Sequence, residues 1–317
     1  MINEKKQLKQ FVSLAGGLGN QLFQFAAALS TNDEQKIFFI EDIFNPSRNE
    51  SGILELFEFK FFNLKQIDFI PIRISPKKSL KFFANQIIKS GVNGSSILGK
   101  TYHRSLNSLF QCQIKKVFSK NKIALVTDTF NLEKDNHKIK EDILQIGYFQ
   151  NSEYALQVRN IMKDYKISGF DIVGYLSARN YGKYLAVHIR RGDYEKERNF
   201  GLIPRDYYMK AIAIQLEQYP YDNIVIFSDD IEKAKKIIHS SDFPNINYFE
   251  DKNLSSAQVL AVMSNANGFV IANSSFSWWA AMLSASGFNR VFAPNPWFLK
   301  TKIHEQLLPV HWTKLSW

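Results

Sequence analysis

The sequence predicts an α/β protein of two domains, each built on a parallel sheet. Three observations lead there. Strand-like and helix-like runs alternate along most of the chain. Several strand runs end in clusters of glycine, arginine, aspartate or serine, at the strand ends where a doubly wound sheet forms its ligand crevice. The length, 317 residues, is about twice that of an ordinary domain.

Taken in order, FVSLAGG (11–17) is a short apolar strand ending in glycines. QLFQFAAALS then sets Leu22, Phe25, Ala26 and Leu29 at helical spacing. KIFFI (36–40) is the next strand, residues 45–140 are less regular, and SGVNGSSILGK (90–100) reads as a loop. DILQIGYFQ (142–150) returns to strand character, followed by a helix of about 15 residues. In the second half YLAVHIR (184–190), NIVIFSDD (223–230), INYFE (246–250), GFVIANSS (268–275) and RVFAPNPW (290–297) read as strands. Helices fall between them over 204–219, IEKAKKIIHSS, 255–266 and WWAAMLSAS, the first opening at Pro204. A boundary is expected near 165–183, giving an N-terminal domain over 1–170 and a C-terminal domain over 171–317.

Hydrophobic residues make up 45% of the chain and aromatic ones 14%, enough to exclude large-scale disorder. No apolar run approaches the roughly 18 residues of a membrane-spanning helix. The opening MINEKKQLKQ lacks the apolar stretch of a secretory signal. Cys112 is the single cysteine, which excludes an internal disulfide and suits a cytoplasmic location. Charge is lopsided: residues 1–183 hold 26 Lys/Arg against 17 Asp/Glu, residues 184–317 hold 14 against 13. Residues 60–122 carry 13 cations and one acid, Asp68, which would attract nucleic acid, an anionic bilayer or an acidic partner. A solvated lysine-rich face is the plain alternative.

Three strand ends carry the chemistry. In GGLGNQ (16–21), Gly16, Gly17 and Gly19 allow close backbone approach, and the helix that follows offers free N–H groups. The stretch is neither G-x-G-x-x-G nor a P-loop, and a tight turn explains it equally well. HIRRGDY (188–194) places Arg190 and Arg191 at the end of a buried strand, where they need an anion: a ligand, or internally Asp193. In ANSSFSWW (272–279), Asn273, Ser274, Ser275 and Ser277 can hold phosphate oxygens or merely cap a helix, and Trp278 and Trp279 suit a core. Asp229 and Asp230 add carboxylates able to accept the N1–H and amine of a guanine, N-capping being the alternative for at least one of them.

The combination GGLGNQLFQFAAAL, HIRRGDY, FSDD and NSSFSWWAAML resembles the bacterial α-1,2-fucosyltransferases of glycosyltransferase family 11. The matches run from residue 12 to about 297 and leave 45–140 without a counterpart. The resemblance implies a GT-B fold of two Rossmann-like domains, GDP-β-L-fucose as donor, inversion at the anomeric carbon and no divalent metal. It implies that Arg190 contacts the β-phosphate with Arg191 beside it, and that His188 touches the nucleoside. Asp229 would read guanine, with Asp230 second. Ser274, Ser275 and Phe276 would form the phosphate turn, and Asn20 would lie by the sugar–phosphate bond.

The residues agree with a metal-free site, since no D-x-D triplet occurs and the six His and one Cys show no zinc spacing. For the general base, Asp193 ranks first, ahead of Glu195 and Glu197; orienting an arginine is its competing role. The expected activity is transfer of fucose to the 2-hydroxyl of a terminal β-galactoside, with no cofactor and no nucleic-acid partner. A transferase making another linkage, or a non-catalytic basic binding protein, are the rivals. Lysine–phenylalanine mixing in 60–122 further suggests docking on an anionic membrane, at the inner face of the cytoplasmic membrane, where lipid-linked acceptors would be met.

Overall fold

A computed structural model describes residues 9–31, 36–40, 67–69, 123–127, 142–162, 169–195, 200–299 and 306–317. They fall into two compact units, with described residues up to Val158 in the first and those from Arg159 in the second. The basic stretch 60–122 lies outside the described residues except for one three-residue strand, as do Glu197 and Cys112. Among the described residues no helix is long and apolar enough to cross a membrane.

The first unit is a five-stranded parallel sheet. Its elements are β1 (Lys9–Ser13), α1 (Leu18–Thr31), β2 (Lys36–Ile40), β3 (Ile67–Phe69), β4 (Ile123–Thr127), β5 (Asp142–Ile146) and α2 (Ser152–Met162) as far as Val158. Strand order is β3-β2-β1-β5-β4. The chain steps outward from β1 on one side and fills the other side later, so the order reverses between β1 and β5, which pair in parallel at Phe11↔Leu144. The inward face of α1, with Leu22, Phe25 and Ala26, is fully buried, as its helical spacing requires. β3 and β4 lie in the stretch that looked irregular in sequence. Helix α2 has 11 residues, shorter than expected.

The second unit contains α3 (Ile172–Ala178), β6 (Tyr184–Ile189), α4 (Arg205–Gln218), β7 (Asn223–Ser228), α5 (Ile231–Ile237), β8 (Ile246–Tyr248), α6 (Ser256–Ser264), β9 (Gly268–Val270), α7 (Ser275–Leu283), β10 (Val291–Asn295) and β11 (Thr313–Ser316). All six strands are parallel in the order β11-β10-β9-β6-β7-β8. Two parallel α/β sheets are the class the sequence predicted. Two elements were not expected. α3 is short and buries none of its residues, and β11 is a largely exposed edge strand, so neither carries a strong hydrophobic period. The order reverses between β6 and β9, the kind of crevice in which open parallel sheets bind ligands.

The core beneath that crevice is apolar and dense. β6 is buried along its whole length, and Leu185, Val187 and Ile189 pack with Tyr207, Tyr208, Ile212 and Ile226. Trp278 and Trp279 are core residues with no exposed surface, set edge to face at 5.3 Å. Trp278 Nε1 donates to the Leu307 carbonyl at 3.0 Å, so its polar atom enters the core satisfied.

Candidate active site

A strand buried on both faces takes its polar residues inside with it. His188 is therefore buried, and its Nδ1 has no hydrogen-bond partner among the described residues. Loss of hydration, and secondarily the Arg190 charge, lower its pKa to about 3, so the ring is neutral at neutral pH. A neutral ring with an unused nitrogen can hydrogen-bond an uncharged ligand group without adding positive charge. The Phe276 ring lies 6.3 Å away, across the switch point.

The two arginines after β6 separate. Arg190 keeps 29% of its side-chain surface exposed, and its Nε lies 3.2 Å from Asp229 Oδ2 in an ion pair. Arg191 turns inward: the residue is 7% exposed and its Nη2 donates to the Ile203 carbonyl at 2.6 Å. Of the two arginines expected to face a diphosphate, Arg191 thus turns its guanidinium to the floor of the loop, while Arg190 stays partly exposed. Among the described side chains, Asp229 is a carboxylate partner of Arg190; the Asp193 side chain lies outside them. Asp229 Oδ1 accepts the backbone N–H of Arg191 at 2.9 Å, so one carboxylate, at the end of β7, clasps the end of β6 twice. Gly192 makes room for it: a Cβ at that position would overlap Asp229 Oδ2.

Asp230, by contrast, is a cap. Its Oδ1 accepts the Lys233 N–H at 3.1 Å at the start of α5, and Oδ2 lies 3.2 Å from Lys233 Nζ. The capping amide and the lysine hold its pKa below the usual carboxylate value. The same Lys233 Nζ is 2.7 Å from Glu195, which engages that candidate base in a surface ion pair.

The third strand end brings a helix start. Ser274 is the N-cap of α7, but its side chain makes no capping hydrogen bond. The hydroxyl of Ser277 turns back to the carbonyls of Ala272 and Ser274, at 3.4 and 3.2 Å. Asp171, Asp230 and Ser255 do cap α3, α5 and α6 with their side chains. The positive end of α7 is thus not shielded by its own cap, and Ser275 and Phe276 beside it are partly exposed. Asn273 is structural: Nδ2 donates to the carbonyls of Phe200 (2.7 Å) and Trp297 (3.1 Å).

In the first unit the GGLGNQ turn sits at its own switch point. Gly16 has φ +76°, and an added Cβ would stand 2.6 Å from Asn20 Nδ2, so glycine is needed on both counts. Gln150, after β5, donates from Nε2 to Asn20 Oδ1 at 2.9 Å, which fixes the amide and turns its Nδ2 end toward Gly16. Gly17 accepts the N–H groups of Asn20 and Gln21 through its carbonyl, at 2.9 and 3.2 Å, closing the turn that leads into Gly19. Beneath it runs a buried amide chain in which Gln10 Nε2 donates to Gln145 Oε1 (2.9 Å) and Gln145 Nε2 to the Gln24 carbonyl (3.0 Å). Sequence reasoning missed this chain and also missed Gly192 and Tyr194. The available signal was a glutamine interrupting each of two apolar runs, QLFQFAAAL and DILQIG. Among the described residues no three His, Cys, Asp or Glu side chains gather as a metal site would need.

Comparison with known proteins places the chain in a family. The model of glycosyl transferase family 11 matches residues 10–315. An α-1,2-colitosyltransferase from Escherichia coli is 29% identical over 326 residues, covering 96% of this chain and 97% of the relative. The O-antigen biosynthesis glycosyltransferase WbnK, also from Escherichia coli, is 27% identical over 308 residues, covering 90% and 93%. Among solved structures, the fucosyltransferase NodZ from Bradyrhizobium superimposes with a TM-score of 0.46 at 13% identity, covering 88% of this chain and 94% of that one.

Proposed function

The chain belongs to glycosyl transferase family 11, and from that premise we propose that this glycosyltransferase moves L-fucose from GDP-β-L-fucose, with inversion, to the 2-hydroxyl of a terminal β-galactoside in a bacterial surface glycan. The observation that carries the reading is the β6/β9 switch point, where a partly exposed Arg190 follows β6 and the uncapped start of α7 follows the neighbouring strand β9. A guanidinium and a set of helix-start amides form the donor set that a diphosphate needs. The leaving GDP gathers negative charge as the glycosidic bond breaks, and Arg190 is the group to stabilise it. Neutral His188 offers Nδ1 to a nucleoside hydroxyl or base N–H. Inversion in one displacement requires the acceptor hydroxyl to lose its proton, for which Asp193 is the proposed base. In the first unit, the Asn20 amide held by Gln150 is the proposed contact at the sugar–phosphate bond.

Asp229 has a double assignment: it clasps Arg190, and its remaining lone pairs accept the guanine edge. Asp229→Asn should therefore weaken GDP binding about 10-fold or more, since hydrogen bonds to charged groups contribute about 1.5–3 kcal/mol each. The ratio of GDP to ADP affinity separates the roles. A fall in that ratio supports guanine reading, while equal losses for both nucleotides leave only the clasp.

A second donor is favoured by the 29% identical relative named for colitose. Colitose is fucose without its 3-hydroxyl, and a site built to hydrogen-bond that hydroxyl would reject the deoxy sugar strongly. The deciding experiment incubates the protein with GDP-fucose or GDP-colitose and a panel of β-galactosides, in excess EDTA, and follows GDP release and product linkage. The expected result is an α-1,2-fucosylated product at a rate EDTA does not change, because Arg190 supplies the countercharge. Turnover that returns only with Mg²⁺ or Mn²⁺ would overturn the metal-free reading, and a higher kcat/KM for GDP-colitose would reassign the donor.

A further inference from the structure

A ring of contacts closes around the arginine end of β6. The Tyr194 hydroxyl donates to the Asn273 carbonyl at 2.9 Å. Asn273 Nδ2 donates to the Phe200 carbonyl at 2.7 Å. The Phe200 ring stacks on the Tyr194 ring, with centroids 4.5 Å apart and planes 14° from parallel. Phe298 backs Phe200 at 5.5 Å. On its other contact, the Tyr194 ring lies 5.4 Å from the Arg190 guanidinium carbon, within cation–π range. One side chain therefore touches both the arginine of β6 and the residue that precedes the N-cap of α7.

We infer that Tyr194 is a positioning residue that sets the Arg190 guanidinium against the start of α7. The inference rests on the reading of Arg190 as the diphosphate ligand. Arginine carries its charge on a long stem with many rotamers, and a ligand that must first order it binds more weakly. Asp229 restrains the Nε edge of Arg190 and the Tyr194 ring bounds the guanidinium. The hydroxyl then ties that ring to the β9 turn, so the spacing between guanidinium and helix amides is built into the fold before a diphosphate arrives. Phenylalanine at 194 would keep the ring and release the tie, whereas leucine would lose both. This separates positioning from packing, because packing alone stabilises the loop without any dependence on the charge at 190.

The test measures GDP affinity by titration calorimetry, with thermal unfolding alongside, for the full chain and for Tyr194→Phe, Tyr194→Leu, Arg190→Met, Arg190→Met/Tyr194→Phe and Arg190→Met/Tyr194→Leu. Tyr194→Phe should weaken GDP binding about 3-fold, the worth of one neutral hydrogen bond. Tyr194→Leu should weaken it about 10-fold. In the Arg190→Met background both should change affinity less than about 2-fold, because contacting residues that act through one group are not additive. Equal losses in the two backgrounds, or unchanged affinity in both single Tyr194 variants, would overturn the inference while leaving the diphosphate reading intact. Native GDP affinity in Arg190→Met alone would instead refute the diphosphate reading itself. If leucine prevents folding, the two phenylalanine variants decide alone.

Discussion

Arg190→Ala should lower the transfer rate 10²-fold or more while the second unit stays folded. The phosphate of a departing nucleotide gains charge in the transition state, and a preorganised donor at that point typically contributes about 3 kcal/mol or more to the barrier. The structural cost is smaller. Arg190 and Asp229 form a partly exposed pair, with 29% and 21% of their side-chain surfaces accessible, and pairs of that kind contribute about 1 kcal/mol or less. After the substitution Asp229 still accepts the Arg191 N–H, so its carboxylate is not stranded. Lysine at 190 should rescue poorly, since an ammonium cannot reproduce the planar fork. The measurement is steady-state GDP release with thermal unfolding recorded on the same preparations. Near-normal turnover in the alanine variant would refute the diphosphate assignment; lost turnover with a collapsed melting transition would assign the residue to folding instead.

Gln24→Leu should destabilise the first unit by about 3 kcal/mol or more, although glutamine and leucine have similar size. Gln24 lies wholly inside the protein. Its Oε1 accepts the Ala15 N–H at 3.0 Å and its Nε2 donates to the Gly147 carbonyl at 2.7 Å, so one amide joins the loop after β1 to the loop after β5. Leucine would strand both backbone groups away from water, at roughly 1–3 kcal/mol each. Glutamate, which keeps the acceptor but not the donor and adds a buried charge, should be worse still. Hydrogen exchange is the suited readout, with faster exchange of the Ala15 amide and of β1 than of β6 expected. Uniform exchange in both units would show that the amide chain has no special hold on the first sheet.

Much of the architecture was legible in the residues alone. YLAVHI and NIVIF are continuous apolar runs because a strand covered on both faces has no solvent side, and they are β6 and most of β7. The motifs GGLGNQ, HIRRGDY and NSSFSWW were legible as turns at strand ends, because glycines, arginines and serines interrupt the apolar runs there. The tryptophans of α7 proved to be core for the same reason of burial. β3, β4 and β11 escaped because strands of three to five residues at sheet edges carry too little pattern to be told from loops.

What tertiary structure decided was the partner of each polar group. Two adjacent arginines look alike in sequence, yet successive residues at a strand end point to opposite sides, so Arg191 is spent on the Ile203 carbonyl while Arg190 pairs with Asp229 and stays partly exposed. Two adjacent aspartates likewise divide into a clasp and a helix cap, because only Asp229 stands beside Gly192 and only Asp230 precedes the first turn of α5. Tyr194 meets Asn273 across 79 residues of chain, and Gln24 meets Gly147 across 123. Local spacing reports which groups will be buried, but a hydrogen bond is short and directional. Its partner is fixed only when the parallel strands come into register and bring the two loops of a switch point within about 3 Å of each other.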